Sequence, residues 1–120
     1  MTGYLTTHVL NTAQGCPAVG LTIELWRFEQ QTGEKQLLKT VTTNHDGRTD
    51  APLLAGDDFQ VGCYELVFVV GDYFAQQGVS LPEPPFLNRV PLQFGIADAG
   101  AHYHVPLLVS PWSYSTYRGS

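Results

Sequence analysis

Charged residues are scarce in this chain. Asp, Glu, Lys and Arg together make up 14% of its 120 residues, whereas about 25% is usual for a soluble domain. The acidic residues exceed the basic ones, and the formal net charge is −5. Nucleic acids and anionic membranes attract concentrated positive charge, so we expect neither as the main partner. No such charged residue occurs from Ala99 through Tyr117, and we therefore expect this stretch to be buried between subunits.

Long hydrophobic runs and cysteines are also lacking. The longest uninterrupted apolar stretch, residues 66–70, is far shorter than the ~20 residues of a membrane-spanning helix. No Lys or Arg precedes Arg27, so a signal peptide is not expected, and the sequence predicts a cytoplasmic protein. The two cysteines, Cys16 and Cys63, are too few for a disulfide scaffold. We expect them to be small, buried hydrophobic side chains.

The hydrophobic pattern predicts one all-β domain over residues 1–120. Apolar residues alternate with polar ones, as at Leu21, Ile23 and Leu25, and this spacing is typical of strands. Short segments of this kind, separated by turn residues, predict a sandwich or barrel of antiparallel strands. The predicted strands cover residues 4–10, 19–28, 36–43, 64–70, 90–96, 101–109 and 114–119.

A single helix is predicted over residues 71–78. Asp72 is the candidate N-cap, and Gly78 is the candidate terminating residue. Three prolines lie between Leu81 and Pro85 and predict an extended connector, because a regular ladder does not tolerate them.

Three histidines are candidates for acid–base chemistry. His8 lies inside the first predicted strand, and His102 and His104 lie two positions apart in a later strand, where they share one face. A histidine titrates near ~6.5, so a neutral ring can take a proton from water. The alternatives are a half-exposed polar position for His8 and interface hydrogen bonds for the pair. Three histidines can also bind zinc, but no ligand spacing is present, and we expect no metal.

Arg48 ends a tight turn that contains Asp46 and Gly47. A guanidinium at the rim of a sheet can bind planar carbonyl or anionic groups and can stabilise an oxyanion, although most arginines in turns are simply solvated. The chain ends in a strand-like segment followed by Arg118, Gly119 and Ser120. This pattern indicates a packed C-terminus.

Four segments resemble a known enzyme family, the 5-hydroxyisourate hydrolases, which are related to transthyretin. They are residues 5–10 (LTTHVL), 46–48 (DGR), 102–108 (HYHVPLL) and 117–120 (YRGS). The resemblance covers essentially the whole chain, and the terminal tetrapeptide is its most specific part.

The resemblance implies a transthyretin-like sandwich of two four-stranded sheets with one short helix. It also implies a homotetramer, a dimer of dimers with active sites at the dimer–dimer interface. The residues that match the catalytic positions are His8, Arg48, His104 and Ser120. Substrate binding is assigned by the same resemblance to these four and to Tyr117, Arg118 and Gly119, and His102 is expected to support them.

The reaction implied by the resemblance is hydrolysis of 5-hydroxyisourate at its N1–C6 amide, with no cofactor. One histidine would activate water and Arg48 would stabilise the developing charge, but the sequence does not decide between His8 and His104 as the base. One alternative is a transthyretin-type carrier of small hydrophobic hormones. Another is a non-catalytic prealbumin-like module, with which the chain shares residues 15–18 (GCPA). The histidine pair, Arg48 and the terminal tetrapeptide favour the enzyme.

Overall fold

The computed structural model describes residues 3–119, which form two β-sheets packed face to face with one short α-helix. The elements are β1 Tyr4–Asn11, β2 Cys16–Pro17, β3 Thr22–Phe28, β4 Lys35–Thr42, β5 Leu54–Ala55, β6 Gly62–Val69, α1 Val70–Gln76, β7 Arg89–Ile96, β8 His102–Val109 and β9 Tyr114–Thr116.

The first sheet has the strand order β2-β1-β8-β9, and the short strand β5 pairs with the remaining part of the β1 edge. The second sheet has the order β4-β3-β6-β7. The predicted all-β sandwich is confirmed. The first sheet has five strands instead of the four that the resemblance implied. Its two-residue strands, β2 and β5, were not among the predicted strands because so short a segment carries no alternating pattern.

Alternation along each strand creates the core between the sheets. In β1 the side chains of Leu5, Val9 and Asn11 are buried, while every second residue between them faces outward. In β3 the side chains of Ile23 and Leu25 are likewise buried between the sheets. Burying the apolar faces of both sheets together is the main source of stability, at roughly 25 cal/mol per Å² removed from water.

Strands β1 and β8 pair in parallel, so the prediction of antiparallel strands throughout is wrong at this place. The two strands are joined by all of the second sheet rather than by a hairpin, and a long crossover allows the parallel direction. Their register sets Tyr4 beside His102, Thr6 beside His104 and His8 beside Pro106.

The predicted helix is present, but it begins and ends earlier than expected. Val69 is the N-cap of α1, and Asp72 lies in the first turn, so the assignment of Asp72 as the N-cap was wrong. An acidic residue in the first turn still favours the helix through its dipole. Tyr73 and Phe74 anchor the helix in the core, and Gly78, at φ +81°, follows its C-terminal end.

The cysteines do not behave as a buried pair. Cys16 is exposed and Cys63 is half-buried, so the prediction that both are buried was wrong. Cys16 lies in β2, which pairs only two residues at the edge of the first sheet. In residues 3–119 no helix is both long and apolar enough to cross a membrane.

Candidate active site

The candidate site lies on the outer face of the first sheet. The outward positions of β1 carry Thr6 and His8, and those of β8 carry His102 and His104. All four side chains are half-buried. The residues between them point into the core, so the hydrophobic alternation that stabilises the sandwich also aligns these polar groups on one surface.

A hydrogen-bonded turn brings Arg48 to this surface. The Asn44 side-chain oxygen accepts hydrogen bonds from the backbone N–H groups of Asp46, at 2.9 Å, and Arg48, at 3.2 Å. The carbonyl of Gly47 in turn accepts a 2.8 Å hydrogen bond from the Val9 N–H of β1. The turn is therefore fixed against the strand that carries His8.

Gly47 allows this close contact. Its φ is +77°, and a Cβ atom there would lie 2.4 Å from the Val9 carbonyl oxygen. Both facts exclude a side chain at this position.

An open cavity of about 430 Å³ lies between the turn and the histidine strand. The cavity is large enough for a small heterocycle. Within residues 3–119 the Arg48 guanidinium makes no ion pair, so its charge is available to a bound molecule. The cavity is lined by Thr6, Thr7, Arg48, Thr49, Asp50, Ala51, Pro52, His102 and His104.

His8 is held by a 2.9 Å hydrogen bond between its Nε2 and the backbone carbonyl of Asp46. A carbonyl oxygen only accepts, so Nε2 carries the hydrogen and the neutral ring has its lone pair on Nδ1. Burial and then the positive charge of Arg48 lower the pKa of His8. The interactions with Asp46 oppose this lowering only in part.

The ring of His104 is held through Nδ1, whereas that of His8 is held through Nε2. Nδ1 of His104 lies 2.8 Å from Thr6 Oγ1, and among residues 3–119 its ring makes no hydrogen bond through Nε2, which is left for the cavity. Burial lowers the pKa of His104, and the positive charge of Arg48 lowers it further, followed by smaller effects of His102 and His8. Both histidines are thus kept neutral near pH 7, within electrostatic range of Arg48.

The C-terminal segment returns to the site at Gly119. Its N–H donates a 2.8 Å hydrogen bond to the carbonyl of His104, and a Cβ atom on Gly119 would lie 2.6 Å from Cδ2 of the His104 ring. Glycine thus permits the backbone to pack directly on the imidazole. Ser120, the remaining predicted site residue, lies outside the described residues.

Tyr117 and Arg118 lie on the other side of the segment. The Arg118 guanidinium carbon stands 4.1 Å above the ring of Tyr103, which is a core-facing residue of β8. Tyr117 is 60% exposed. Within one subunit, therefore, Arg48 and His104 line one cavity with His8 and Gly119 close by, whereas Tyr117 and Arg118 line a different one.

The HIUase/transthyretin family profile matches residues 5–119. The chain belongs to the HIUase/transthyretin family. A relative from Ralstonia nicotianae named 5-hydroxyisourate hydrolase is 64% identical over 118 residues, which are 98% of this chain and 99% of that protein.

Solved structures of other proteins share the fold of this family member. The crystal structure of an (S)-allantoin synthase matches with a TM-score of 0.92 and 50% identity over 99% of this chain, which spans 44% of the length of that protein. Sea bream transthyretin in complex with thyroxine matches with a TM-score of 0.84 and 25% identity, covering 96% of this chain and 93% of that one. The recognition of the family from sequence is confirmed.

Two features of this family member's site were missed by reasoning from the sequence. Thr6, which contacts both His102 and His104, looked like an ordinary strand residue. Its outward position, two residues before His8, was the only signal available. Asn44, which holds the turn, could have been found from its place at the start of a turn, where an Asx side chain bonds backbone two residues on.

The arrangement suits hydrolysis of a polar, planar substrate. Two neutral imidazoles can each accept a proton from water, and the Arg48 guanidinium can stabilise a developing negative charge. Among the described residues no group of three or more His, Cys, Asp or Glu side chains is placed to hold a metal ion.

Proposed function

We propose that this chain hydrolyses 5-hydroxyisourate, opening the six-membered ring at its N1–C6 amide. The product is 2-oxo-4-hydroxy-4-carboxy-5-ureidoimidazoline. The observation that supports the proposal most directly is that Arg48 and His104 line one open cavity, while the charge of Arg48 also reaches His8 and lowers its pKa. The 64% identity to a relative named 5-hydroxyisourate hydrolase supports the same substrate.

Water is activated by a neutral imidazole. Among residues 3–119 no group bonds Nε2 of His104, whose ring lines the cavity, and His8 has a lone pair on Nδ1 because Nε2 is bonded to the Asp46 carbonyl. Proton removal by such a base accelerates attack on a carbonyl by roughly 10²- to 10⁴-fold. We assign the base to His104, because its ring lines the cavity, and assign His8 to orientation of the substrate.

Arg48 binds the ring oxygens and stabilises the tetrahedral intermediate. Its guanidinium can donate two parallel hydrogen bonds, which fixes a planar carbonyl group in one orientation. As water adds, the carbonyl oxygen gains negative charge, and a fixed cation stabilises that charge more than it stabilises the neutral substrate. Water, an imidazole and a guanidinium supply everything that this scheme needs, so it includes no cofactor and no metal.

The C-terminal segment completes the site. Gly119 fixes the position of the His104 ring, and Ser120 in this scheme holds the substrate and water. Tyr117 and Arg118 line a cavity other than that of His104. We propose that they contribute to substrate binding through a contact with a neighbouring subunit.

The proposed assembly is a homotetramer with its sites at the dimer–dimer interface. The site lies on an open sheet face, and exposed aromatic side chains accompany it in the uncharged stretch, namely Trp112, Tyr114 and Tyr117. Exposed apolar groups of this kind favour association. A cytoplasmic location and a single catalytic domain over residues 1–120 stay predictions.

The test of the proposed function uses freshly prepared 5-hydroxyisourate and follows the loss of its ultraviolet absorbance. The purified protein should accelerate that loss. His104→Ala, Arg48→Ala and removal of residues 117–120 should each lower kcat/KM by at least about a hundredfold. His45→Ala is the matched control, because His45 is 86% exposed, and it should keep the full rate. Wild-type turnover in all three site variants would refute the site assignment.

The carrier function is the second candidate, because thyroxine-bound transthyretin shares this fold. Equilibrium titration with thyroxine distinguishes the two functions. The enzyme should bind it weakly or not at all while hydrolysing 5-hydroxyisourate. Tight binding of thyroxine without hydrolysis of 5-hydroxyisourate would refute the proposed enzyme and support the carrier function.

A further inference from the structure

The hydroxyl of Thr6 lies between two imidazole rings. Its Oγ1 is 2.7 Å from Nε2 of His102 and 2.8 Å from Nδ1 of His104. The parallel register of β1 and β8 produces this arrangement, because it sets Thr6 directly beside His104 and one outward position away from His102. Thr6 lies in the segment of residues 5–10 that resembles the family, but the mechanism proposed above assigns it no role.

The single hydroxyl hydrogen of Thr6 couples the tautomers of His102 and His104. A threonine hydroxyl has one hydrogen, so it can donate to only one of the two nitrogens. At least one ring nitrogen must therefore carry a hydrogen and donate it to Oγ1. If His104 donates from Nδ1, the hydroxyl is free to donate to Nε2 of His102. If His102 donates, the hydroxyl is free to donate to His104, whose own hydrogen then lies on Nε2.

His102 is fixed for this exchange. Its ring stacks on Tyr4 with centroids 4.1 Å apart and planes 14° from parallel. The stack restricts rotation of the imidazole and keeps Nε2 directed at Thr6. Two short hydrogen bonds and one stacked ring thus connect Tyr4, His102 and Thr6 to Nδ1 of His104, the residue whose ring lines the cavity.

We propose that Thr6 and His102 form a proton relay behind His104, with Thr6 as a positioning residue that sets which nitrogen of His104 carries the hydrogen. The inference rests on the proposed function and deepens it. At rest His104 carries its hydrogen on Nδ1, so that Nε2 has the lone pair that water needs.

The number of hydrogens is conserved when the proton moves from His104 to His102 and when it returns. Water gives a proton to His104 Nε2, and its oxygen forms the bond to the amide carbon. The Nδ1 hydrogen of His104 passes to Thr6 Oγ1, and the hydroxyl hydrogen passes to His102 Nε2. His104 is then neutral with a hydrogen on Nε2. As the C–N bond breaks, His102 returns its proton through Thr6 to Nδ1 of His104 while His104 donates the Nε2 hydrogen to the departing ring nitrogen. This reverse shift through Thr6 restores the resting state.

The electrostatics of the site favour such a path. The positive charge of Arg48 disfavours an imidazolium at His104. The relay moves that charge from the ring of His104 to the ring of His102. His104 can thus act as a base and then as an acid while spending little time as a cation.

The decisive measurement is the tautomer of His104 without substrate, read from long-range ¹H–¹⁵N correlation spectra. Wild-type protein and Thr6→Ser, which keeps the hydroxyl, should show the hydrogen on Nδ1. Thr6→Val, which has the same shape without the hydroxyl, should shift it to Nε2. Thr40→Val on the second sheet is the matched control and should change nothing. An unchanged His104 tautomer in Thr6→Val overturns the proposal.

Kinetics provide a second readout. Thr6→Val and His102→Phe, which keeps an aromatic ring against Tyr4, should each lower kcat at least about tenfold while KM changes little, because the relay acts on proton transfer. Thr6→Ser should restore most of kcat. Wild-type kcat in folded His102→Phe overturns the relay even if Thr6→Val fails to fold.

The two proposals fail differently. If wild-type protein does not open 5-hydroxyisourate, the proposed function is wrong, and the relay for that reaction is wrong with it. If wild-type protein is active and the Thr6 and His102 variants match it, only the relay is wrong.

Discussion

The two histidines of the site offer different nitrogens to the solvent. His8 bonds the Asp46 carbonyl through Nε2, and His104 bonds Thr6 through Nδ1. One surface therefore presents an Nδ1 lone pair from one ring and an Nε2 position from the other. The identity of both residues is readable in the sequence, but the nitrogen that each presents depends on partners 38 and 98 positions away.

The pH dependence of the reaction follows from the lowered pKa values of His8 and His104. Protonation abolishes a base, so activity should persist to a pH below the ordinary histidine value of about 6.5 before it falls. The acid limb of kcat/KM against pH measures this. Because Arg48 contributes to both shifts, Arg48→Gln should raise both pKa values in an NMR titration. Arg27→Gln on the second sheet should raise neither, and equal titrations in all three proteins would contradict the electrostatic account.

Gly119 provides a sharper test at the residue scale. In Gly119→Ala the new methyl group would overlap Cδ2 of His104, so the ring must move out of its position. We expect kcat to fall at least about tenfold, while the free energy of unfolding changes by less than about 1 kcal/mol, as is usual for a residue near the surface.

The matched control for this variant is Gly95→Ala. No atom lies within 4 Å of a Cβ at Gly95, so activity and stability should both stay near wild type. Full activity in Gly119→Ala would show that the contact with His104 has no bearing on the reaction.

At the scale of elements, the turn over residues 44–48 joins stability to function. It docks on β1 through the Val9 N–H and the His8 ring and carries Arg48 at its end. A change that lifts the turn from the strand must therefore displace both a histidine and the arginine.

Comparing Gly47→Ala with Gly20→Ala separates the backbone strain of a positive φ from the steric overlap with the Val9 carbonyl. Both glycines have a positive φ, +77° and +79°, but only Gly47 has an atom near its missing Cβ. Gly20→Ala should cost about 1–2 kcal/mol of unfolding free energy, the strain of a left-handed alanine. Gly47→Ala should cost more, because its Cβ overlaps the Val9 carbonyl, and it should also lose activity. Chemical denaturation and the ultraviolet assay measure the two effects, and equal losses in both variants would refute the docking argument.

The elements also show how far the sequence predicts this fold. Strong alternation predicted β1, β3, β7 and β8, because a strand buried on one face repeats every two residues. The parallel pairing of β1 with β8 could not be predicted, because alternation indicates which face of a strand is buried but not which strand it pairs with. For the same reason the site residues could be predicted on one face, while the contact between Thr6 and the two imidazoles could not.

At the scale of the whole molecule, the proposed tetramer predicts a mass in solution of about four times 13.2 kDa, measurable by sedimentation equilibrium. Trp112→Glu should lower that mass, because it sets a charge in an uncharged stretch with exposed aromatic groups. Leu37→Glu is the matched control. Leu37 is also exposed, but it lies on β4 of the other sheet. A monomeric wild-type protein would refute the assembly.

The pairing of β1 with β8 has a consequence for synthesis. The strand that supplies His8 leaves the ribosome roughly 100 residues before its neighbour in the sheet. Until then the first strand lacks its central partner, and such long-range contacts are slow to form. Catalytic competence therefore arises only once β8 has been made, and fragments that end before β8 have no pocket with which to act on a metabolite.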